Sequence, residues 1–328
     1  MTLTVLVTGG AGYIGSHVAR LLDQRGHSVI VLDRALPSEG AIATATYEVT
    51  DIRDTMSLHE TFRKHRIDAV LHFAGEKSVE ESMRDPQPHF STNVCGSVSL
   101  FEAVRRAGVR HIIFSSSCAV YGTPAEIPVT EASPLRPENP YGETKAIVER
   151  MLHWLDVTVG LRYVSLRYFN AAGASVEGHL GEDPRRAESL LPRAVMSALG
   201  QRGPLEIFGT DYPTADGTAV RDYVHVADLA EAHLAALEHL LAGGASLTLN
   251  LGTGHGSSVR DVIRAVETVA GSTLATIDRP RRPGDVPALW ADASAAEAKL
   301  RWRARRSLHE MIASTWRWYE RHGSANAV

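Results

Sequence analysis

The chain has 328 residues, 44% of them hydrophobic and 22% charged, with a formal net charge of −4 at pH 7. That length can bury one large core or two coupled domains, and the charge balance offers no basic surface for nucleic acid. No apolar run is long enough to span a bilayer and the N-terminus enters a strand directly, so neither a membrane nor a secreted product is expected, and the reading is cytoplasmic. Two cysteines, Cys95 and Cys118, suit a reducing compartment. They provide no disulfide framework and no metal cluster, and both are read as small buried apolar residues.

Short apolar runs appear in order at 5–8 (VLVT), 28–33 (SVIVLD), 69–75 (AVLHFAG), 111–117 (HIIFSSS) and 164–170 (VSLRYFN). Helix-length segments such as SHVARLLDQRG and STNVCGSVSLFEAVRRAG lie between them. Near-continuous apolar strands alternating with helices predict an α/β fold, a doubly wound parallel sheet covered on both faces by right-handed crossovers. After Asn170 the rhythm breaks into AAGASVEGHLGEDP, followed by a helix near 190–199 and the strand LEIF at 205–208, which predict a smaller, mixed α/β lobe. The chain then returns to helix at VADLAEAHLAALEHLLAG and strand at LTLNLG before a basic loop, RPRRPGDVP, at 279–287.

The first strand runs into TGGAGYIG, with Gly9, Gly12 and Gly15 three residues apart. A strand, a tight glycine turn and a helix bring backbone N–H groups and a helix N-terminus to one place, which suits a pyrophosphate and marks the sheet as Rossmann-like. The next strand ends at Asp33, 18 residues after Gly15. A carboxylate there accepts hydrogen bonds from an adenosine ribose and repels a 2′-phosphate, so NAD is favoured over NADP. Arg34, directly after it, pulls the other way.

NPYGETK at 139–145 is the second informative stretch. Pro140 suits a helix start, so Tyr141 and Lys145 share a face at i and i+4. An ammonium beside a phenol lowers the phenol pKa, making Tyr141 a general base. The preceding strand ends in three serines, whose hydroxyls would face the crevice where such sheets bind ligands.

In their order along essentially the whole chain, TGGAGYIGSH, DIRD, HFAGEKSVEES, FSSSCAVYG, NPYGETK, LRYFN, DYPTADGTAVRDYVHVADLAEAH and RRPGDVPALWAD resemble the UDP-glucose 4-epimerase family of extended short-chain dehydrogenases/reductases. The resemblance implies tightly bound NAD and reversible epimerisation at C4 of a UDP-hexose through a transient 4-ketose. It implies Tyr141 as the base on the sugar O4, Ser117 as its hydrogen-bond partner, and Lys145 on both the tyrosine and the nicotinamide ribose. Gly9, Gly12, Tyr13, Ile14 and Gly15 would line the pyrophosphate, and Asp51 and Ile52 the adenine. Phe73, Ala74, Gly75, Lys77, Asn93, Ser115 and Tyr168 would surround the rest of the dinucleotide, with Asp33 on its ribose. Asn170, Ser189, Leu190, Phe208, Arg221, Arg282 and Asp285 would hold UDP, and Leu289 would sit beside C2 of the sugar. Residues 1–175 with 215–252 would form the NAD domain, and 176–214 with 253–328 the UDP-sugar lobe. A homodimer is implied, formed by helices around 93–107 and 141–155, with Cys95, Val98, Phe101, Val104, Ile147, Val148, Met151 and Leu152 supplying the apolar surface.

The chain departs from the family pattern at three places. Only 17 residues separate Asp33 from Asp51, fewer than usual, so NAD is expected to be held less tightly. Ser189 stands where asparagine or histidine is more common. Leu289 is intermediate in size between the aromatic that excludes an N-acetyl group and the small residue that admits it, which leaves a UDP-N-acetylhexosamine 4-epimerase open. A sugar-nucleotide 4,6-dehydratase would need an acid pair where Cys118 and Ala119 stand. An NAD-sensing protein on the same fold is the non-enzymatic alternative, opposed by the intact Ser117, Tyr141 and Lys145.

Overall fold

The computed structural model describes residues 2–37, 39–282 and 284–322. Pro283 of the basic loop and residues 323–328 of the expected second lobe lie outside the described residues. Six strands, β1 (Thr4–Thr8), β2 (Ser28–Asp33), β3 (Thr46–Val49), β4 (Ala69–His72), β5 (His111–Ser117) and β6 (Arg162–Tyr168), join the strand Leu247–Leu251 in one sheet. Its order is Leu247–Leu251, β6, β5, β4, β1, β2, β3. All neighbours are parallel.

Because side chains alternate along a strand, each strand feeds two cores. Val5, Val7, Val29, Val31, Leu71 and Ile113 pack beneath the helices Tyr13–Gln24 and Val226–Leu241, through Val18, Leu22, Leu229 and Leu237. Leu6, Ile30, Leu32, Val70, Ile112 and Phe114 face the opposite way, onto the helices Thr55–Lys64, Gly96–Arg106 and Pro140–Val159. Burial on both faces explains why these strands read as continuous apolar runs. A separate core of Leu191, Val195, Ile207, Val262, Val266, Ile312 and Trp318 joins the helices Leu190–Ala198, Val259–Ala270 and Leu308–His322 to the strand Leu205–Phe208, whose parallel partner Thr276–Arg279 is exposed. A second small sheet orders Ser257–Ser258, Val220–Arg221 and Ala288–Leu289.

The structure corrects several readings. The segment after Asp33 carries β3, paired in register from Ile30↔Thr46 to Asp33↔Val49. TYEV is short and half-exposed at the sheet edge, so it lacks the apolar run that marks the other strands. The run at 164–170 divides: β6 ends at Tyr168, and Asn170–Ala172 begins a separate pairing with Tyr223–His225. The strand at 69–75 ends at His72, leaving Phe73, Ala74 and Gly75 in the loop. A wider π turn at Phe90–Cys95 precedes the helix expected from 93. Cys95 is exposed and Cys118 half-buried, so neither is a fully buried core residue. Among the described residues no helix is long and apolar enough to cross a membrane, and no His/Cys/Asp/Glu group could hold a metal ion.

Candidate active site

β1 and β4 are neighbours whose chains leave in opposite directions across the sheet, and the glycine turn rises from the end of β1 at that point. Gly9 has φ of 70°, and a Cβ on it would lie 2.6 Å from the Ala74 nitrogen. A Cβ on Gly15 would lie 2.3 Å from the Gly9 oxygen. Turn, helix and the 73–75 loop are thus packed closer than any side chain allows. Gly12 starts the helix Tyr13–Gln24 with no side-chain cap, leaving the first amides for an anion.

Around this cradle the Asp33 carboxylate accepts N–H bonds from Ala11 (3.1 Å) and Arg34 (2.7 Å). The Asp51 carboxylate is gripped by the Arg53 guanidinium at 3.0 and 2.7 Å, which holds its pKa below the usual carboxylate value. Ile52 is buried beside it, and Ile14 packs onto the sheet core. Tyr13 donates its hydroxyl to the Gly173 carbonyl at 2.5 Å, and the Phe73 ring lies 4.7 Å from that of His233. Lys77 reaches Glu182 at 2.6 Å. Buried Asn93 accepts the Glu76 N–H (2.7 Å) and donates to the Glu76 carbonyl and to Thr144 Oγ1, both at 3.0 Å. Its amide is therefore engaged in holding the 73–77 loop. A glycine cradle, an uncapped helix end and a backbone-oriented carboxylate fit a dinucleotide.

Ser117, Tyr141 and Lys145, the expected reacting groups, meet at the end of β5. Asn139 caps the helix Pro140–Val159 by accepting the Gly142 N–H at 2.8 Å, with Pro140 in its first turn. A Cβ on Gly142 would lie 2.5 Å from the Ala119 carbonyl, so glycine lets the helix start press against the turn after Ser117. Burial pushes the Tyr141 phenol well above its usual pKa, Tyr168 adds to that, and the Ser117 hydroxyl pulls it down by hydrogen bonding. Lys145 donates to the Ser115 carbonyl at 2.8 Å, and its Nζ lies 5.7 Å from the Tyr141 ring centroid. Burial lowers its pKa to about 8, against the opposing charge of Glu149. The lysine is anchored to a carbonyl, and desolvation dominates the tyrosine. Ser115 Oγ and the Tyr168 hydroxyl hydrogen-bond to each other.

The other expected site residues come from both parts of the chain, Asn170 and Arg221 from 1–175 and 215–252 and the rest from 176–214 and 253–328. Arg221 pairs with Asp285 at 3.3 Å, and the Arg282 guanidinium stacks 3.8 Å from the centroid of the Phe208 ring. Leu289 lies opposite Arg221 in the parallel register and is buried with Val286, Val120, Phe169 and Ala291, against Cys118. Asn170 donates its N–H to the Asp222 carbonyl at 2.9 Å. Leu190 packs onto the lobe core, and Ser189 begins its helix without capping it, donating instead to Glu182 at 3.2 Å. The sequence reading missed Glu182, a buried carboxylate shared by Lys77 and Ser189, and buried Asp222, which accepts N–H bonds from Thr253 (2.9 Å), Gly254 (3.3 Å) and Ala291 (3.2 Å). GEDP was visible as an acid run, but nothing local pairs Glu182 with a lysine 105 residues away.

A parallel sheet with a glycine cradle at its switch point, and a Tyr/Lys pair beside a strand-end serine, define a dinucleotide-dependent protein of the short-chain dehydrogenase/reductase class. The chain belongs to the NAD dependent epimerase/dehydratase family, whose model matches residues 5–252. It is 44% identical over 322 residues to the UDP-glucose 4-epimerase of Halalkalibacterium halodurans, covering 98% of this chain and 96% of that one. The structure is similar to UDP-glucose 4-epimerase from Brucella ovis in complex with NAD, with a TM-score of 0.93, 43% identity, and 98% and 99% of the two chains covered. It is equally similar to UDP-glucose-4-epimerase from Stenotrophomonas maltophila with bound NAD and formylated UDP-arabinopyranose, at TM-score 0.93, 42% identity, and the same 98% and 99% coverage.

Proposed function

We infer that this protein is an NAD-dependent UDP-hexose 4-epimerase that interconverts UDP-galactose and UDP-glucose. The observation that carries the reading is the meeting of Ser117, Tyr141 and Lys145 at the end of β5, in the sheet that carries the glycine cradle. Bound NAD supplies acceptance of hydride from C4 and its return to the opposite face. Tyr141, ionised only once cofactor and substrate are bound, takes the proton from the sugar O4, Ser117 hydrogen-bonds that oxygen, and Lys145 holds the nicotinamide ribose. Arg221 and Arg282 bind the UDP diphosphate, as forked guanidiniums suit paired oxygens, and Phe208 covers uracil. NMR of purified protein with UDP-galactose is expected to show UDP-glucose forming without net NADH. Binding of NAD with no sugar conversion would overturn the assignment.

The same reading takes residues 1–175 with 215–252 as the NAD domain and 176–214 with 253–328 as the UDP-sugar lobe, supported by the core around Leu191, Ile207, Val262 and Ile312, while Ala296, Leu300 and Trp302 pack with the sheet core. It places the reaction in the cytoplasm, with no nucleic acid or membrane partner.

Leu289 is proposed as the sugar gate. It is packed among Val286, Phe169 and Cys118, so an added N-acetyl group meets a filled wall, and overpacking costs about 1 to 3 kcal/mol. A preference of roughly 5- to 150-fold for the non-acetylated sugars follows. Leu289→Ser is expected to narrow the kcat/KM ratio between UDP-galactose and UDP-N-acetylgalactosamine, and Leu289→Tyr to widen it. Equal ratios in all three proteins would remove Leu289 from this role.

A homodimer is also proposed, with a revised surface. Phe101, Val104, Val148 and Leu152 are core residues, whereas Cys95, Val98 at 50% exposure and Trp154 at 62% lie outward, with Ile147 and Met151 half-buried between them. Positions 147, 151 and 154 fall on one helix face. Light scattering at micromolar concentration is expected to give a dimer, and Val98→Glu with Trp154→Glu a monomer. A monomeric wild type would contradict the assignment.

A further inference from the structure

The sequence favours NAD over NADP because Asp33 repels a 2′-phosphate, but the next residue, Arg34, would welcome one and weakens that choice. The strands β4, β1 and β2 end side by side in that order. Arg34 follows β2 and Glu76 lies in the loop after β4, so the 3.0 Å contact from Arg34 Nη2 to Glu76 Oε1 passes over the end of β1, where the glycine turn rises. Open α/β sheets take their ligands in this crevice. The ion pair spans the groove.

Both partners stand on pinned backbone. The Glu76 N–H and carbonyl are bound at 2.7 and 3.0 Å by the buried Asn93 amide, and the Arg34 N–H is bound at 2.7 Å by Asp33. The neighbouring cations are also engaged: Arg53 with Asp51 at 2.7 Å and Lys77 with Glu182 at 2.6 Å. Arg34 is thus the cation best placed to meet an adenosine 2′-phosphate beside Asp33, and Glu76 holds it across the groove.

We propose that Glu76 is a specificity-determining residue for the cofactor: by clasping Arg34 over the adenosine half of the groove, it withholds the guanidinium from a 2′-phosphate and makes the protein selective for NAD over NADP. This rests on the NAD reading above. Without Glu76, Arg34 is free to swing toward the ribose and donate to a phosphate. With Glu76, a 2′-phosphate meets only the Asp33 carboxylate and an occupied arginine. The clasp also closes over ground that a longer segment after Asp33 would otherwise cover.

The test equilibrates wild type, Glu76→Gln and Glu76→Gln/Arg34→Ser with equimolar NAD and NADP, removes free nucleotide, and measures the bound ratio by chromatography. Wild type is expected to carry NAD. Glu76→Gln is expected to raise the bound NADP:NAD ratio about tenfold, the size of one charge-assisted hydrogen bond. The double variant is expected to lose that gain. A ratio in Glu76→Gln within about twofold of wild type, or a gain that survives loss of Arg34, would overturn the proposal while leaving the epimerase reading intact. Wild type that takes up neither nucleotide would instead remove the NAD reading, and this proposal with it.

Discussion

Tyr141→Phe is expected to lower kcat by about 10²-fold or more, the usual contribution of a general base, with UDP binding and the fold nearly unchanged. Phenylalanine keeps the ring that packs at the helix start and removes only the oxygen facing Ser117. Ligand-free wild type supplies a second measurement. Burial raises the phenol above the tyrosine range and Lys145 is bonded to the Ser115 carbonyl, so the phenol stays protonated through neutral pH. The absorbance difference between wild type and Tyr141→Phe should show no phenolate below a pH of about 10. Turnover close to wild type in the variant would take the proton-transfer role away from Tyr141. A phenolate signal near neutrality without ligand would show that Lys145 acts on the hydroxyl more strongly than its anchoring to Ser115 allows.

Glu149→Ala is expected to destabilise the protein by about 3 to 5 kcal/mol, because it leaves a buried guanidinium without its counter-charge. Glu149 and Arg167 are buried, at 7% and 6% side-chain exposure, and meet through Arg167 Nε at 2.9 Å and Nη2 at 2.6 Å. The same carboxylate accepts the Ser116 hydroxyl at 2.6 Å. Arg167 Nη1 donates to Tyr121 at 2.9 Å, and Tyr121 donates to Asn250 at 2.7 Å, so the network ties the Tyr/Lys helix to β5, β6 and the strand Leu247–Leu251. Arg167 is held charged by these partners, its pKa raised above the ordinary value despite burial. Urea denaturation should show the loss, and Glu149→Ala/Arg167→Met should recover much of it, since no charge is then buried alone. Glu149 also supports the charge of Lys145, so in any Glu149→Ala that folds the lysine pKa should fall below about 8. A midpoint shift worth under about 1 kcal/mol would mean that water reaches the guanidinium and the pair is not sealed.

Much of the fold was local enough to read directly. SVIVLD and HIIFSSS form strands over the residues expected, because apolar runs between helices report burial on both faces, and LEIF does so with only Leu205 and Ile207 buried. The glycine spacing and the Tyr/Lys pair are equally local: a turn needs its glycines at fixed positions, and i and i+4 share a helix face in any context. TYEV was missed because an edge strand buries little and carries no apolar run, and its identity comes from pairing with β2. Likewise, NPYGETK specifies a capped helix bearing Tyr141 and Lys145, but the partner of the lysine depends on how that helix lies against β5. The sequence by itself determined the parallel α/β sheet, the dinucleotide turn and the pairing of Tyr141 with Lys145 on one helix face, since each follows from a helical or strand period, or from a turn, within a few residues. Only the tertiary structure decided which charges meet: Arg34 with Glu76, Lys77 with Glu182 and Arg167 with Glu149. Those pairings depend on strand order and on which loops leave the same end of the sheet, and no local pattern along the chain encodes either.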